Sequence, residues 1–325
     1  MVNVMAALDL PWLADAMARL ETRLRESVVA EDPYLTEIAG HLIGAGGKRL
    51  RPVLTAVAAT AGCGSVTDDV LTGGISVELV HIGSLYHDDV MDDAETRRGV
   101  PSVNAKWGNL VAILSGDFLL ARASELAASL GTEVAGLLAA TIGRLCEGQV
   151  GELKTAFSAD RSEAAYAASI NGKTASLLAT AARVGGITAD LPRPSIDALT
   201  AYGDNIGMAF QVVDDILDLV STDEELGKPA GNDLVEGIYT LPVLRALTDP
   251  AIGPELRPML GGPLDSTARD AARELVRSSD GIGYAIDAAR AYADKATSAI
   301  AALPQNDARD ALTRLAYELV DSVRG

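Results

Sequence analysis

Apolar residues recur every three to four positions along most of the chain, and glycine or proline clusters break that rhythm. Residues 8–30 read as an amphipathic helix with Leu13, Met17, Leu20 and Leu24 on one face. Asp32-Pro33 interrupts it, and residues 34–42 resume helical spacing. The same pattern predicts helices over 53–60, 70–93, 101–130, 132–154, 162–184 and 192–220, with Gly185-Gly186 closing the fifth of these. From Leu241 onward the chain is again helical, broken near Pro250, at Gly261-Gly262-Pro263, at Gly281 and at Pro304. No alternating pattern marks a strand, and no linker marks a domain boundary. The expectation is one all-α domain over residues 1–325, a bundle of long, mostly antiparallel helices.

Residues 77–98 stand out within this pattern. They begin as an apolar run and end with Asp88, Asp89, Asp92, Asp93, Glu95, Arg97 and Arg98. On a helix, Asp88 and Asp92 share a face, and like charges at that spacing weaken the helix by a few tenths of a kcal/mol per pair, roughly. A second DDxxD occurs at Asp214, Asp215 and Asp218, set among Val212, Val213, Ile216, Leu217 and Leu219. Carboxylates in an apolar helix are costly unless partnered. Two such helices facing one space would cage a hard divalent ion, and Mg²⁺ suits because it takes few protein oxygens and keeps places for phosphates.

Composition narrows the partners. The chain has 325 residues, 48% apolar and 4% aromatic, and a net charge of −18, which argues against nonspecific nucleic-acid binding. Cys63 and Cys146 form no metal or disulfide pattern, so a cytoplasmic setting is expected. No apolar run reaches the roughly 20 residues of a membrane span, although peripheral membrane contact stays compatible with the sequence. Cations are gathered locally. The turn Gly44-Ala45-Gly46-Gly47 delivers Lys48, Arg49 and Arg51 to one place, and Arg97, Arg98, Lys173 and Lys228 lie at glycine loops or helix ends. A solvated basic turn is the bland reading of Lys48–Arg51; an anion site gripped by arginine forks is the alternative. Carboxylates with a metal, plus separate cations, imply two phosphorylated ligands.

Several segments together resemble the trans-polyprenyl diphosphate synthases: GGKRLRP at 46–52, ELVHIGSLYHDDVMDDAETRRG at 78–99, GDFLLA at 116–121, GKTASL at 172–177, FQVVDDILD at 210–218 and GKPAGNDLVEG at 227–237. The resemblance covers residues 34–325 and leaves 1–33 as an N-terminal helical segment. It implies the isoprenoid-synthase bundle around a central cavity, and condensation of isopentenyl diphosphate with an allylic diphosphate by ionisation, attack and proton loss. Three Mg²⁺ ions per site would be held by Asp88, Asp92 and Asp214, with Asp215 and Asp218 in the same cluster. Lys48, Arg51, His81 and Arg98 would hold isopentenyl diphosphate; Arg97, Lys173 and Lys228 would hold the allylic diphosphate. Thr174 and Gln211 would face the developing cation. Tyr86, His87, Asp117 and Gln149 read as supporting or core residues. A homodimer through helices within residues 132–184 is also implied.

One position departs from the pattern. Many relatives carry EGKxT after GKPxGxDL, whereas this chain has Glu236-Gly237-Ile238-Tyr239, so one diphosphate-binding cation is missing or supplied elsewhere. The product should grow along Val77, Val80, Gly83 and Ser84. Gly83 and Ser84 stand where farnesyl synthases carry aromatics, so a product beyond fifteen carbons is expected. The form of the motif resembles long-chain synthases making C40–C45 quinone side chains, with geranylgeranyl diphosphate as the alternative. A terpene cyclase or a noncatalytic synthase subunit are the readings from other classes.

Overall fold

The computed structural model of the chain describes residues 4–222 and 229–323. Lys228 lies outside the described residues. The N-terminal helical segment is two helices, α1 (Val4–Leu8) and α2 (Leu13–Ser27). Helix α3 (Pro33–Gly44) starts where its proline suits the first turn, with the Asp32 carboxylate accepting from the Tyr34 N–H at 2.9 Å. Then come α4 (Leu50–Ala61) and α5 (Asp68–Met91), the helix that carries the first aspartates. Thr67 caps α5, and Asp68 and Asp69 place negative charge at its positive end.

After α5 the chain makes a feature absent from the sequence reading: a hairpin of two-residue strands, β1 (Thr96–Arg97) and β2 (Val100–Pro101), with Arg97 opposite Val100. Its turn residues Arg98 (φ 54°) and Gly99 (φ 76°) are both left-handed, as a tight hairpin of matching twist requires. The single helix expected over 101–130 is split into α6 (Val103–Trp107) and α7 (Asn109–Ser129) by Gly108, whose φ of 89° no helix accommodates. Helix α8 (Thr132–Thr155) follows. The helix expected over 162–184 is α9 (Glu163–Ile170), a π-helical segment (Asn171–Ala175) and α10 (Ser176–Thr188). Helix α11 (Arg193–Val220) carries the second aspartates. The remainder is α12 (Asn232–Val235), α13 (Leu241–Ala246), α14 (Gly253–Leu256), α15 (Ser266–Ser278), α16 (Gly281–Ala299) and α17 (Asp307–Asp321).

Helix α5 is buried along almost its whole length and packs on α4, α7 and α10, while α11 packs on α10 and α16. Burial on several sides explains why α5 is apolar all round rather than striped. Gly185-Gly186 does not end a helix but sits inside α10. A Cβ on Gly185 would lie 2.1 Å from the Thr55 carbonyl oxygen, so glycine is what lets α10 and α4 touch backbone to backbone. Asp117, expected inside α7, is on its exposed side, with a side chain 63% exposed.

Apolar side chains left in the open gather on Leu110, Ile113 and Leu114 of α7 and on Val150 and Leu153 of α8. Within the segment 132–184, α8 contributes Val150 and Leu153 to that face and α10 is mostly buried; α7 supplies the rest of the face. Among the described residues, no helix is long and apolar enough to cross a membrane.

Candidate active site

The cation turn before α4 divides its charges. Arg49 adopts a left-handed backbone (φ 48°) and turns inward, where Glu21 at 2.5 Å and Glu78 at 3.1 Å bind its guanidinium and Ile43 offers its carbonyl at 3.0 Å. It ties α2, α3 and α5 together and is spent on structure. Lys48 remains exposed, within electrostatic reach of Asp214 on α11. Arg51 stands beside Arg98 and Glu78; burial and Arg98 push it down to about 10 against the pull of Glu78, so it stays charged. Arg98 donates to the carbonyls of Leu42, at 2.9 Å, and Gly46, which fixes the hairpin against the end of α3.

His81 lies on α5 below this group. Burial first, then the charges of Arg51, Arg98, Arg49 and Arg97, hold its pKa well below the ordinary histidine value, so it is a neutral imidazole among arginines. Arg51, Arg98 and His81 are thus electrostatic neighbours, while the charge that acts on Lys48 is Asp214.

Across from them, burial lifts the Asp88 carboxyl above its usual range; Asp92 adds to this, and Lys173 and Arg97 oppose it. No side-chain hydrogen bond from another described residue reaches Asp88 or Asp92. Among the described residues no three acidic, histidine or cysteine side chains form a ready-made cage. The oxygen donors suit Mg²⁺ all the same, because an ion held by one or two carboxylates completes its shell with water and substrate phosphate. The first aspartates stand on α5 and the second on α11.

The middle aspartate of each motif does something else. Asp89 is fully buried and accepts from Arg97 Nε at 2.7 Å, with Nη2 of the same guanidinium in ion-pair contact at 2.6 Å. Asp215 was expected in the metal cluster. Instead both its oxygens are taken, one by the Tyr166 hydroxyl at 2.5 Å and one by the Gln211 amide at 2.9 Å, and burial raises its pKa. Asp218 accepts from the Asp233 N–H at 3.3 Å, which docks the start of α12 onto α11.

Lys173 and Thr174 come from the π-helical segment. There Gly148 of α8 and Gly172 pack so tightly that a Cβ on Gly148 would be 2.5 Å from the Lys173 nitrogen. Lys173 Nζ pairs with Glu152 at 2.7 Å, and Thr174 donates to Gln211 Oε1 at 2.7 Å. The Asp215 contact fixes which way the Gln211 amide faces, and Gln211 in turn takes the threonine proton. The Thr174 oxygen is left as an acceptor only.

Along α5, Val77 and Val80 are fully buried and Ser84, half-buried, donates to its own helix at His81. Gly83 faces α7: a Cβ there would meet the Gly116 carbonyl at 3.1 Å and Leu120 and Leu119 just beyond. Tyr86 is structural, donating to Ile38 at 2.7 Å, and His87 sits against the Ile113 carbonyl at 3.1 Å. Gln149 keeps a buried amide oxygen without a partner among the described residues. Sequence reasoning missed Asp89, Glu152 and Tyr166. Tyr166 lies eight residues before Thr174, near two helical turns, which was the one available signal.

With this geometry in view, the polyprenyl synthetase family model matches residues 32–278. The chain belongs to the polyprenyl synthetase family. It is 40% identical over 304 residues to the nonaprenyl diphosphate synthase of Mycobacterium tuberculosis, covering 92% of this chain and 90% of that protein. It is 39% identical over 306 residues to the heptaprenyl diphosphate synthase component 2 of Geobacillus stearothermophilus, covering 94% and 95%. The crystal structure of the Corynebacterium glutamicum geranylgeranyl pyrophosphate synthase, complexed with calcium and isoprenyl diphosphate, superposes with a TM-score of 0.84 at 39% identity, covering 96% of each chain. This member of the polyprenyl synthetases is accordingly an all-α prenyltransferase.

Proposed function

We propose that this polyprenyl synthetase extends an allylic diphosphate with isopentenyl diphosphate to an all-trans product of C40–C45, suited to a quinone side chain. The observation that carries the reading is the pairing of two aspartate helices with two separate cation groups, one around His81 and one around Arg97 and Lys173. Mg²⁺, three ions per site by family resemblance, would supply Lewis-acid charge to the leaving diphosphate when held by Asp88, Asp92, Asp214 and Asp218. Lys48, Arg51, His81 and Arg98 hold isopentenyl diphosphate, and Arg97, Lys173 and Lys228 the allylic diphosphate. The allylic C–O bond breaks with its electron pair leaving on pyrophosphate. The double bond of isopentenyl diphosphate attacks the allylic carbon, and a proton passes from it to the departing pyrophosphate. Thr174 and Gln211 present oxygen dipoles to the cation, which costs no reorganisation because Asp215 and Tyr166 already orient them.

Small residues support the longer product, since Gly83 and Ser84 stand on α5 within about a turn of Asp88. Incubation with farnesyl or geranylgeranyl diphosphate, labelled isopentenyl diphosphate and Mg²⁺, followed by sizing of the dephosphorylated products, tests the proposal. Products stopping at C20 would favour the geranylgeranyl alternative.

The exposed apolar face of α7 and α8 is where a second copy would sit, making a homodimer; a monomer mass in light scattering would refute this. A second reading follows from the Geobacillus relative being one component of a synthase. Were the pure chain inactive alone but active with a stoichiometric partner, that reading would prevail. Turnover of an allylic diphosphate to a cyclic product without isopentenyl diphosphate would instead indicate a terpene cyclase.

A further inference from the structure

Outside the residues discussed so far, the described chain holds one buried cation with unused donors close to the second aspartate helix. Arg161, in the link between α8 and α9, is 6% exposed. Its Nη1 donates to the Tyr239 carbonyl at 3.3 Å, while Nε and Nη2 are buried without a hydrogen-bond partner among the described residues. Its guanidinium carbon lies 5.6 Å from the centre of the Tyr166 ring, and Glu152 and Asp215 are the carboxylates that act on it. Those two acids are already engaged, by Lys173 and by Tyr166 and Gln211.

The surroundings join Arg161 to Ile238, the position where the family pattern carries a lysine in many members. The Phe157 N–H donates to the Gly237 carbonyl at 2.8 Å, and Gly237 needs its left-handed backbone (φ 72°) and missing side chain because a Cβ would strike the Phe157 ring. Ile238 N–H donates to the Asp233 carbonyl at 2.8 Å, and Gly231 and Asp233 both donate to Asp218. Arg161, Ile238 and the end of α11 therefore form one connected layer. A buried guanidinium with two idle N–H groups is unfavourable until an anion meets them, and its planar fork matches phosphate oxygens.

We propose that Arg161 supplies the diphosphate-binding charge that Ile238 lacks, gripping the diphosphate end of the allylic substrate from the α9 side of the site. The proposal rests on the prenyl-transfer reading above. The competing account makes Arg161 only a counter-charge for Glu152 and Asp215.

The test compares the full-length wild type with Arg161→Met, Ile238→Lys and the double variant. Inorganic pyrophosphate with Mg²⁺ is titrated by calorimetry, and KM is measured for both substrates. Arg161→Met should weaken pyrophosphate binding about tenfold or more and raise the allylic KM in proportion, with KM for isopentenyl diphosphate within about twofold. Adding Ile238→Lys should restore binding to within about threefold of wild type. Unchanged pyrophosphate binding in Arg161→Met, or a loss that Ile238→Lys does not rescue, overturns the proposal. Should Arg161→Met not fold, Arg161→Lys replaces it: a fall in pyrophosphate affinity at an unchanged melting temperature supports the proposal, and unchanged affinity overturns it. Failure of the prenyl-transfer reading itself would appear separately, as no isopentenyl incorporation by the wild type.

Discussion

Asp89 on α5 and Arg97 on the hairpin are joined by a hydrogen bond of 2.7 Å from Nε and an ion-pair contact of 2.6 Å from Nη2, both to one oxygen of a fully buried carboxylate. The pair anchors the hairpin that carries Arg97 to the buried side of α5. Asp89→Asn keeps the shape but removes the charge. Because Arg97 is partly exposed, the stability loss should be modest, about 1–3 kcal/mol, read from urea unfolding. The allylic KM should rise about tenfold while Mg²⁺ dependence keeps its midpoint, since Asp88 and Asp92 are untouched. A shifted Mg²⁺ midpoint with an unchanged KM would make Asp89 a metal ligand instead.

Tyr166→Phe removes the hydroxyl that satisfies Asp215. A buried carboxylate short of a donor costs about 1–3 kcal/mol. Gln211 then loses its fixed orientation, so kcat should fall about tenfold with both KM values within about twofold, the pattern of an interaction made in the transition state. Equal losses in kcat and in substrate affinity would contradict this role.

Ser84→Phe should shorten the product, because Ser84 is a half-buried small residue one helical turn before Asp88 on α5. The glycine beside it is a poorer probe. Gly83→Phe drives a ring at the Gly116 carbonyl, and the overpacking is expected to cost about 1–3 kcal/mol, so any change in product there mixes pocket and packing effects. Chromatography of the products, alongside melting temperatures, separates the two. Unchanged product length in a folded Ser84→Phe protein would remove α5 from the elongation wall.

His81 gives the pH prediction. Its folded pKa is depressed, so the unfolded chain binds the proton first and stability falls as pH drops below the unfolded value near 6.5. At one unit below that value the loss from this group should reach about 1.4 kcal/mol. The difference in unfolding free energy between pH 7.5 and 5.5 should shrink by that amount in His81→Gln. An equal difference in both proteins would mean His81 protonates normally in the fold.

Where helices begin and which aspartates share a face followed from spacing, because period and charge are local properties. What each charge faces is not local. Lys48, Arg49 and Arg51 look alike in sequence, yet a single left-handed residue turns Arg49 into the core, onto Glu21 and Glu78, while Lys48 stays exposed. Asp214 and Asp215 are adjacent and chemically identical, but Tyr166, from a helix 49 positions away, claims only the second. Gly185-Gly186 read as a helix end because its reason for being glycine is the Thr55 carbonyl on another helix. Gly108 split a helix for the opposite reason, a backbone angle that leaves no mark in an apolar run.

The π-helical segment between α9 and α10 is the equivalent of one residue more than an α-helix needs for the same turn. The wide turn absorbs that extra residue, so α10 keeps its phase relative to α9 and Gly185 still meets the Thr55 carbonyl. An ordinary α-helical turn in its place would keep that downstream packing but would shift Lys173 and Thr174 relative to Glu152 and Gln211, so the irregularity serves the placement of those two side chains rather than the bundle around them.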